Sequence, residues 1–183
     1  MIKLVPLIFY LCISLNLYGK TGSVTGLEIP RFVSLKSNDV NIRVGPSINY
    51  PIELKYVIQN LPLEIIDEFD VWRKSRDKEG NIGWVHKSLI KGDRYIISGS
   101  KLNTDINLFS RPSGQIVGII EKNNILKLKS CNLKWCKVSK DSFNGWVLKE
   151  DIWGIYEDEV FNIKFYQPII NQYWNLLNSS FFN

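Results

Sequence analysis

The sequence predicts an all-β protein made of two small tandem barrels, with a short amphipathic helix at its C-terminus. Two observations lead to this fold class. Between residues 30 and 153 no stretch keeps a helical periodicity for three turns, and short segments rich in β-branched and aromatic residues alternate with Asn, Asp, Gly, Pro and Ser. The chain also repeats itself, because the motif NIRVGPS at 41–47 returns as NLFSRPS at 107–113.

The first element along the chain is a predicted secretory signal peptide at residues 1–19. Lys3 is followed by an uncharged apolar run from Leu4 to Leu17, and then by polar residues and glycines. This run is shorter than the roughly 20 apolar residues of a spanning helix, so an uncleaved anchor is the weaker alternative. We therefore expect an exported protein, in the periplasm or outside the cell, that is cleaved near Gly19.

The next two elements are the copies of the repeat. Trp72 aligns with Trp135, and the tripeptide Gly-Trp-Val at 83–85 returns at 145–147. Two copies are too few for a solenoid, so each copy must bury an apolar face of its own. The expected domains are residues 31–92 and 93–155.

Within each copy, the alternation of strand-like segments with turn residues predicts about five short strands. Segments such as LEIIDEF, RYIISGS, NILKLKS and WCKVS have the composition of strands. They are separated by turns that contain Asn or Gly, residues that tolerate a positive φ. The predicted turns are at 60–62, 77–81, 122–124 and 141–145.

Two cysteines remain once the signal peptide is removed, Cys131 and Cys136. An even number of cysteines in an oxidising compartment favours a disulfide, and two buried thiols are the alternative. Strand alternation places the two side chains on opposite faces, so a disulfide between them requires a β-bulge near the turn.

At this point the motifs resemble a known family. The order of Asn, aliphatic, Arg, any residue, Gly-Pro-Ser, then an aliphatic strand, a Trp-x-Lys strand and a closing Gly-Trp-Val, resembles the bacterial SH3-like (SH3b) domain. The second copy has drifted, since Phe109 and Arg111 stand where the first has Arg43 and Gly45. The resemblance implies small β-barrels in a protein of the bacterial cell envelope, where such domains bind cell-wall peptides or target partner enzymes.

The tryptophans divide into two predicted classes. Trp84 and Trp146 follow glycines, and we expect them in the two cores because a large aromatic ring does much of the burying in a tiny barrel. Trp72 and Trp135 alternate onto the polar face of their strands, where the resemblance implies a platform for an extended peptide. The alternative is a ring that caps the barrel edge under a loop. The candidate ligand-binding residues are Trp72, Lys74, Trp135, Lys137 and Tyr50.

Charge indicates what such a surface could attract. The chain has a net charge of +5, and residues 93–155 hold ten basic and six acidic residues. Six lysines of this copy surround the predicted Cys131 hairpin and would attract carboxylate-rich wall peptides or anionic headgroups, although a solvated sheet face is the simpler explanation. A nucleic-acid partner is not expected for an exported chain. The lysines are Lys122, Lys127, Lys129, Lys134, Lys137 and Lys140.

Little in the sequence favours catalysis. His86 is the only histidine, and both remaining cysteines lie in the other copy at the expected bridge. A Cys/His pair or a metal cluster would need more residues than these, so no catalytic residue, metal site or cofactor is expected. We expect a non-catalytic binding or targeting module for cell-wall peptide or an extended protein segment. An adaptor that recruits an envelope enzyme or membrane partner is the alternative, and a wall-active enzyme is a third.

The last element is the tail, residues 156–183. After Pro168, apolar residues recur at helical spacing and predict an amphipathic helix. This helix could dock on a barrel, pair with a second copy or lie on a membrane, and the lack of basic residues counts against the membrane. The apolar positions are Ile169, Ile170, Tyr173, Trp174 and Leu177.

Overall fold

The computed structural model describes residues 20–99 and 103–163, which form two seven-stranded antiparallel sheets. The all-β prediction is confirmed for this part of the chain, whose only helical turns are 3-10 turns at Lys87–Leu89 and Lys149–Asp151. The predicted signal peptide at 1–19 and the predicted helix after Pro168 lie outside the described residues.

The first sheet has the strand order β3-β2-β6-β5-β4-β1-β7. Its strands are β1 (Arg31–Leu35), β2 (Val40–Arg43), β3 (Ile52–Tyr56), β4 (Pro62–Phe69), β5 (Trp72–Arg76), β6 (Ile82–His86) and β7 (Ile90–Lys91).

The second sheet has the order β10-β9-β13-β12-β11-β8-β14. Each strand of β8–β14 therefore takes the place of its counterpart in β1–β7, and the repeat in sequence is a repeat of topology. Its strands are β8 (Tyr95–Ser98), β9 (Ile106–Phe109), β10 (Ile116–Ile120), β11 (Ile125–Cys131), β12 (Trp135–Lys140), β13 (Phe143–Leu148) and β14 (Ile152–Trp153).

Each copy has seven strands where the sequence predicts about five. The additional strands lie outside the repeated motif: β1 pairs with β4 on one side and with the two-residue β7 on the other. In the second copy β8 pairs in the same way with β11 and β14. The residues that precede and follow each motif thus extend its sheet.

Each sheet curls around a core of its own. In the first copy, buried Leu35, Ile65 and Val85 belong to a cluster that also contacts Leu54 of β3 and Ile90 of β7, the two end strands of the sheet. Side chains from both ends can meet only if the sheet is strongly coiled. The corresponding cluster of the second copy includes Ile96, Leu108, Leu126, Val138, Val147 and Ile152.

Asparagines make two of the predicted turns, and two glycines allow neighbouring strands to approach closely. Asn60 and Asn123, at equivalent turns, have φ of 66° and 62°, a region that asparagine tolerates. Gly83 and Gly145 lie where a neighbouring strand crosses: a Cβ would be 3.0 Å from the carbonyl oxygen of Arg43 or of Phe109. A side chain at either glycine would force the two strands apart.

The disulfide joins Cys131 and Cys136, which face each other across β11 and β12. A register shift between Leu128 and Ser130 brings Cys131 to the same face as Cys136. Both half-cystines are completely buried in the second core. The structure therefore has the bulge that the alternation of the sequence requires.

The two copies contact each other through aromatic rings. The Phe32 ring of β1 lies edge-on to Trp153 at a centroid distance of 5.0 Å and against Tyr156 at 4.8 Å. The Tyr156 hydroxyl donates a hydrogen bond of 3.0 Å to Glu64 Oε1. The segment after β14 thus packs on the first sheet.

Candidate functional site

The strand register places Trp72 on the outer face of the first sheet. Along β5 and β6, Arg73 pairs with the fully buried Val85, so this pair points toward the core. Trp72 pairs with His86, and because side chains alternate, both point to the opposite face. The sheet therefore presents an indole and an imidazole side by side on its outer surface.

A pocket of about 340 Å³ lies over this indole, and we call it the Trp72 pocket. Trp72 is 7% exposed and forms part of the wall rather than an open platform. The pocket draws on β2, the loop before β3 and the 3-10 turn after β6. It is lined by Asp39, Asn41, Arg43, Ile48, Trp72, His86 and Leu89.

Local contacts hold the polar groups of the Trp72 pocket in place. Arg43 Nη1 donates a 2.7 Å hydrogen bond to the carbonyl oxygen of Tyr50, which anchors the loop between β2 and β3. The His86 ring meets Trp72 edge-on at 5.4 Å, and its Nδ1 accepts the Ser88 N–H at 3.3 Å. In the neutral imidazole this contact assigns the proton to Nε2.

The pocket presents both signs of charge around an aromatic ring. Asp39 carries a carboxylate, which pairs with Lys55 Nζ at 3.0 Å, and Arg43 carries a guanidinium. Asn41 adds an amide that can donate and accept. Such a set suits a ligand with alternating N–H and C=O groups and an apolar side chain, rather than one of a single charge.

The equivalent place in the second copy is filled by a side chain. Register places Phe109 where the first copy has Arg43, since the two pair with Trp146 and Trp84 respectively. The Phe109 ring packs edge-on against Trp135 at 5.0 Å, and Leu148 replaces the histidine as the partner of Trp135. The second indole is thus covered by an aromatic ring of its own domain.

A model of the family described as "Bacterial SH3 domain" matches residues 36–92 and 103–154, which together are more than half of the chain. The chain belongs to this family. Each of the two SH3 domains corresponds to one of the two curled sheets.

Solved structures similar to the chain include NlpC2 and NlpC1 from Trichomonas vaginalis, each 13% identical with a TM-score of 0.32. The match with NlpC2 covers 67% of this chain and 47% of that one, and the match with NlpC1 covers 73% and 49%. The chain therefore spans about half the length of these proteins. A comparison with curated proteins finds no match.

The predicted burial is wrong for Trp84 and Trp146, and for Trp72 and Trp135 one of the two alternatives, the covered ring, is the one observed. Trp84 and Trp146 are only half-buried on the outer faces, because the glycine and the valine of each Gly-Trp-Val take the two core-facing positions. Trp72 and Trp135 do point outward, as the alternation predicts, but they are only 7% and 8% exposed. The alternative of a ring covered by neighbouring segments describes them better than an open platform.

The other candidate residues do not line the Trp72 pocket, and Lys137 belongs to the second domain. Lys74 and Lys137 are half-buried on the outer faces, opposite Trp84 and Trp146 in the register, and Lys74 does not line the pocket. Tyr50 is 46% exposed and stacks over Gly45, and only its carbonyl contacts the pocket, through Arg43. Their role in ligand binding stays a prediction.

Most residues that line the pocket were not among the sequence candidates. Asn41 and Arg43 belong to the repeated motif, and His86 directly follows the Gly-Trp-Val tripeptide. Their positions in the motif were therefore a usable signal. Asp39, Ile48 and Leu89 carry no such signal, because they reach the pocket only through the fold of the β2–β3 loop and the 3-10 turn.

A buried carboxylate beyond the pocket ties the N-terminal segment to the first SH3 domain. The Glu68 side chain is completely buried and accepts hydrogen bonds from Arg31 at 2.7 Å and from the Thr25 hydroxyl and amide at 2.8 and 2.9 Å. Burial alone would raise the pKa of Glu68, but these bonds and that from the Val24 amide outweigh it and lower the pKa to about 2. Glu68 is therefore ionised in the folded domain.

A second cavity, of about 420 Å³, lies between the two domains. Its polar side chains are largely engaged with each other: Glu64 accepts hydrogen bonds from Arg76 and from the Tyr156 hydroxyl. Burial, and then the charge of Glu64, raise the pKa of Tyr156, so this phenol stays protonated and remains a donor. We interpret these groups as contacts that hold the domains together.

Neither a metal cluster nor a membrane helix is found in the described residues. Within 20–99 and 103–163, no group of three or more His, Cys, Asp and Glu side chains could hold a metal ion. In the same ranges, none of the helical segments has the length and apolar character that a membrane crossing needs.

Proposed function

We propose that this protein is an exported, non-catalytic binding module of the bacterial cell envelope, and that its first SH3 domain holds an extended cell-wall peptide in the Trp72 pocket. Membership of the bacterial SH3 domain family supports the general role. Peptide binding by the first domain is inferred from the Trp72 pocket, in which an indole is surrounded by a carboxylate, a guanidinium, an amide and an imidazole.

The chemistry of the pocket fits a short stretch of extended peptide. An apolar side chain of the ligand can pack between Trp72 and Ile48, since both line the same cavity. The ligand backbone then offers N–H groups to Asp39 and C=O groups to Arg43, whose guanidinium is held in place by its bond to the Tyr50 carbonyl. Recognition through backbone groups and one side-chain pocket is the usual mode for extended peptides.

The second SH3 domain has a different task in this proposal. Its equivalent indole is covered by Phe109, so the second domain is not the peptide site. Its outer face carries Lys127 and Lys129, which are exposed, and Lys137. This face would attract the acidic polymers of the envelope and keep the module close to the wall.

The test is binding of the mature protein to purified peptidoglycan, measured by co-sedimentation. The substitution Arg43→Phe copies the residue that covers Trp135 in the second domain, so it should fill the Trp72 pocket. It also removes the bond to the Tyr50 carbonyl in the β2–β3 loop, so circular dichroism must show that the sheet is retained. We expect wall binding to weaken by about tenfold or more, as for a central contact of a small interface.

Arg111→Phe is the matched control, because it makes the same change at an exposed position of the second domain. It should bind as the wild type does. Undiminished binding by Arg43→Phe would remove the Trp72 pocket from the proposal. A wild-type protein that does not bind wall material would overturn the wall-binding function and leave the adaptor alternative.

A further inference from the structure

The outer edge of the second sheet is an apolar strand. β10 is the terminal strand in the sheet order, and within the described residues it pairs with β9 alone. Ile116, Val117 and Ile119 are 56%, 58% and 70% exposed. A terminal strand presents unpaired backbone N–H and C=O groups along its free edge, and here large aliphatic side chains accompany them.

The same strand of the first domain is protected. Asn41 pairs with Lys55 in β2–β3 as Asn107 pairs with Ile119 in β9–β10, and both hairpins have a bulge at the same place. This register aligns Lys55 with Ile119 and Glu53 with Val117. Charged residues on an edge strand oppose pairing with another strand. The second domain has lost both charges at this edge, while the first domain keeps them.

We propose that β10 is a self-association surface, which pairs antiparallel with β10 of a second copy about a twofold axis at Ile119. The bulge lies between Ile116 and Gly118, so the strand is regular from Gly118 to Ile120. Pairing about Ile119 uses all three of these residues and joins the two second sheets into one continuous sheet. It also places each Ile119 directly opposite its copy, at the Cβ separation of about 5 Å of a cross-strand pair.

A second copy is the occupant that this edge fits best. A twofold contact requires that a surface be complementary to itself, and an uncharged aliphatic strand meets this condition without any repulsive pair. Between Gln115 and Glu121 the edge has no charged side chain that could select an unlike partner. The backbone groups of two antiparallel copies satisfy one another across the axis.

The test is the oligomeric state of the mature protein, measured by sedimentation equilibrium over a range of concentrations. The wild type should form a dimer. Ile119→Lys introduces the residue that β3 carries at the same position and places two ammonium groups opposite each other, so the dimer dissociation constant should rise about tenfold or more. The circular dichroism spectrum should stay that of the wild type, and the melting temperature should match the wild type at concentrations low enough for both proteins to be monomeric.

Val57→Lys is the matched control, because Val57 is 74% exposed and follows β3 outside any strand. It should dimerise as the wild type does. Conversely, Lys55→Ile combined with Glu53→Val gives the first domain an edge like that of β10 and should produce species larger than a dimer. A wild type that stays monomeric at every concentration, or an Ile119→Lys variant as dimeric as the wild type, would overturn the proposal.

A cross-link gives a second measurement that does not depend on a destabilising charge. Ile119→Cys should form an intermolecular disulfide under mild oxidation, because cross-strand Cβ atoms lie within bonding range. Val57→Cys should not. Absence of the Ile119→Cys cross-link would contradict the register. If removal of residues 164–183 also abolished the dimer, the contact would belong to the tail and the proposal would be wrong.

Discussion

The two SH3 domains stabilise the same strand pair with different chemistry. In the first, Glu68 of β4 faces Arg73 of β5, and their side chains form a buried ion pair of 3.5 Å. In the second, Cys131 and Cys136 occupy the corresponding positions on β11 and β12 and form the disulfide. In both domains a bulge precedes the pair by a few residues, between Ile65 and Asp67 in the first.

Each pair also forms hydrogen bonds with a segment from outside the repeated motif. Glu68 holds residues 23–25 through their amides and hydroxyls. Cys131 instead exchanges two backbone hydrogen bonds with Phe161, at 2.8 and 3.0 Å, in the segment after β14. One domain is therefore closed by the chain that precedes it and the other by the chain that follows it. We therefore expect acid to destabilise the first domain and a reductant to destabilise the second.

The largest expected effect comes from Glu68→Ala. The substitution leaves the Arg73 guanidinium buried, with 5% of its side chain exposed, and removes the carboxylate that balances its charge. Two neutral acceptors remain, the carbonyl oxygens of Asp70 and Trp72. Loss of one member of a buried ion pair costs about 3 to 5 kcal/mol, so the free energy of unfolding of the first domain should fall by that amount. Urea unfolding followed by hydrogen exchange can assign the loss to one domain.

Asp67→Ala is the control for this change. The Asp67 side chain is 47% exposed, pairs with Lys20 at 3.8 Å and accepts the Glu68 N–H at 3.0 Å, so its removal should lower the stability by about 1 kcal/mol or less. An equal loss in the two variants would show that Glu68 does not have the special role assigned to it.

Falling pH should destabilise the first domain before the second. Because the folded pKa of Glu68 is about 2 and its unfolded value is 4.5, the ionised carboxylate contributes stability that is complete above pH 5. That contribution, on the order of 3 kcal/mol, is lost as the pH falls from about 4.5 to 2. Hydrogen-exchange protection at residues 20–31, the ratio of the intrinsic to the measured rate, should fall over this range. Glu68→Gln should abolish the pH dependence, and unchanged acid sensitivity in that variant would assign it to other groups.

Reduction should act on the second domain alone. Cys131 and Cys136 are five residues apart, and closing so short a loop contributes about 2 kcal/mol in the chain-entropy treatment. The double substitution to alanine should lower the stability of the second domain by this amount, and dithiothreitol should do the same to the wild type. If either treatment destabilised the first domain equally, the two domains would unfold as one cooperative unit and would not respond to different agents.

The repeat could be predicted because it is a similarity between two stretches of the sequence. The local geometry could be predicted because it depends on near neighbours along the chain. The turns at Asn60 and Asn123 need only the local residue type and its neighbours along the chain. The alternation of WRKSR and WCKVS likewise predicted which way Trp72 and Trp135 point.

Burial and electrostatic partners were beyond prediction because they depend on distant segments. Alternation gives the face on which a ring lies, but Phe109, which covers Trp135, comes from another strand. Glu68 lies in the predicted strand LEIIDEF, and nothing near it in the sequence indicates Val24, a partner that is 44 residues away. The exchange of Glu68 and Arg73 for two half-cystines becomes visible only when the strand registers are aligned.

The smallest expected effect concerns the tryptophans of the two Gly-Trp-Val tripeptides. Trp84 and Trp146 are half-buried on the outer faces, whereas Val85 and Val147 beside them are completely buried. Replacing either tryptophan with alanine removes a ring that solvent already reaches, so the free energy of unfolding should fall by about 1 kcal/mol, the typical cost of a substitution.

Trp135→Ala is the reference against which the small losses of Trp84→Ala and Trp146→Ala are compared. Trp135 is 8% exposed and packs against Phe109, so its removal leaves a cavity and should cost about 3 to 5 kcal/mol. Thermal and urea melts of Trp84→Ala, Trp146→Ala and Trp135→Ala compare the three rings directly. If Trp146→Ala proved as costly as Trp135→Ala, Trp146 would be a core residue after all, and the assignment of inner and outer faces along β13 would have to be reversed.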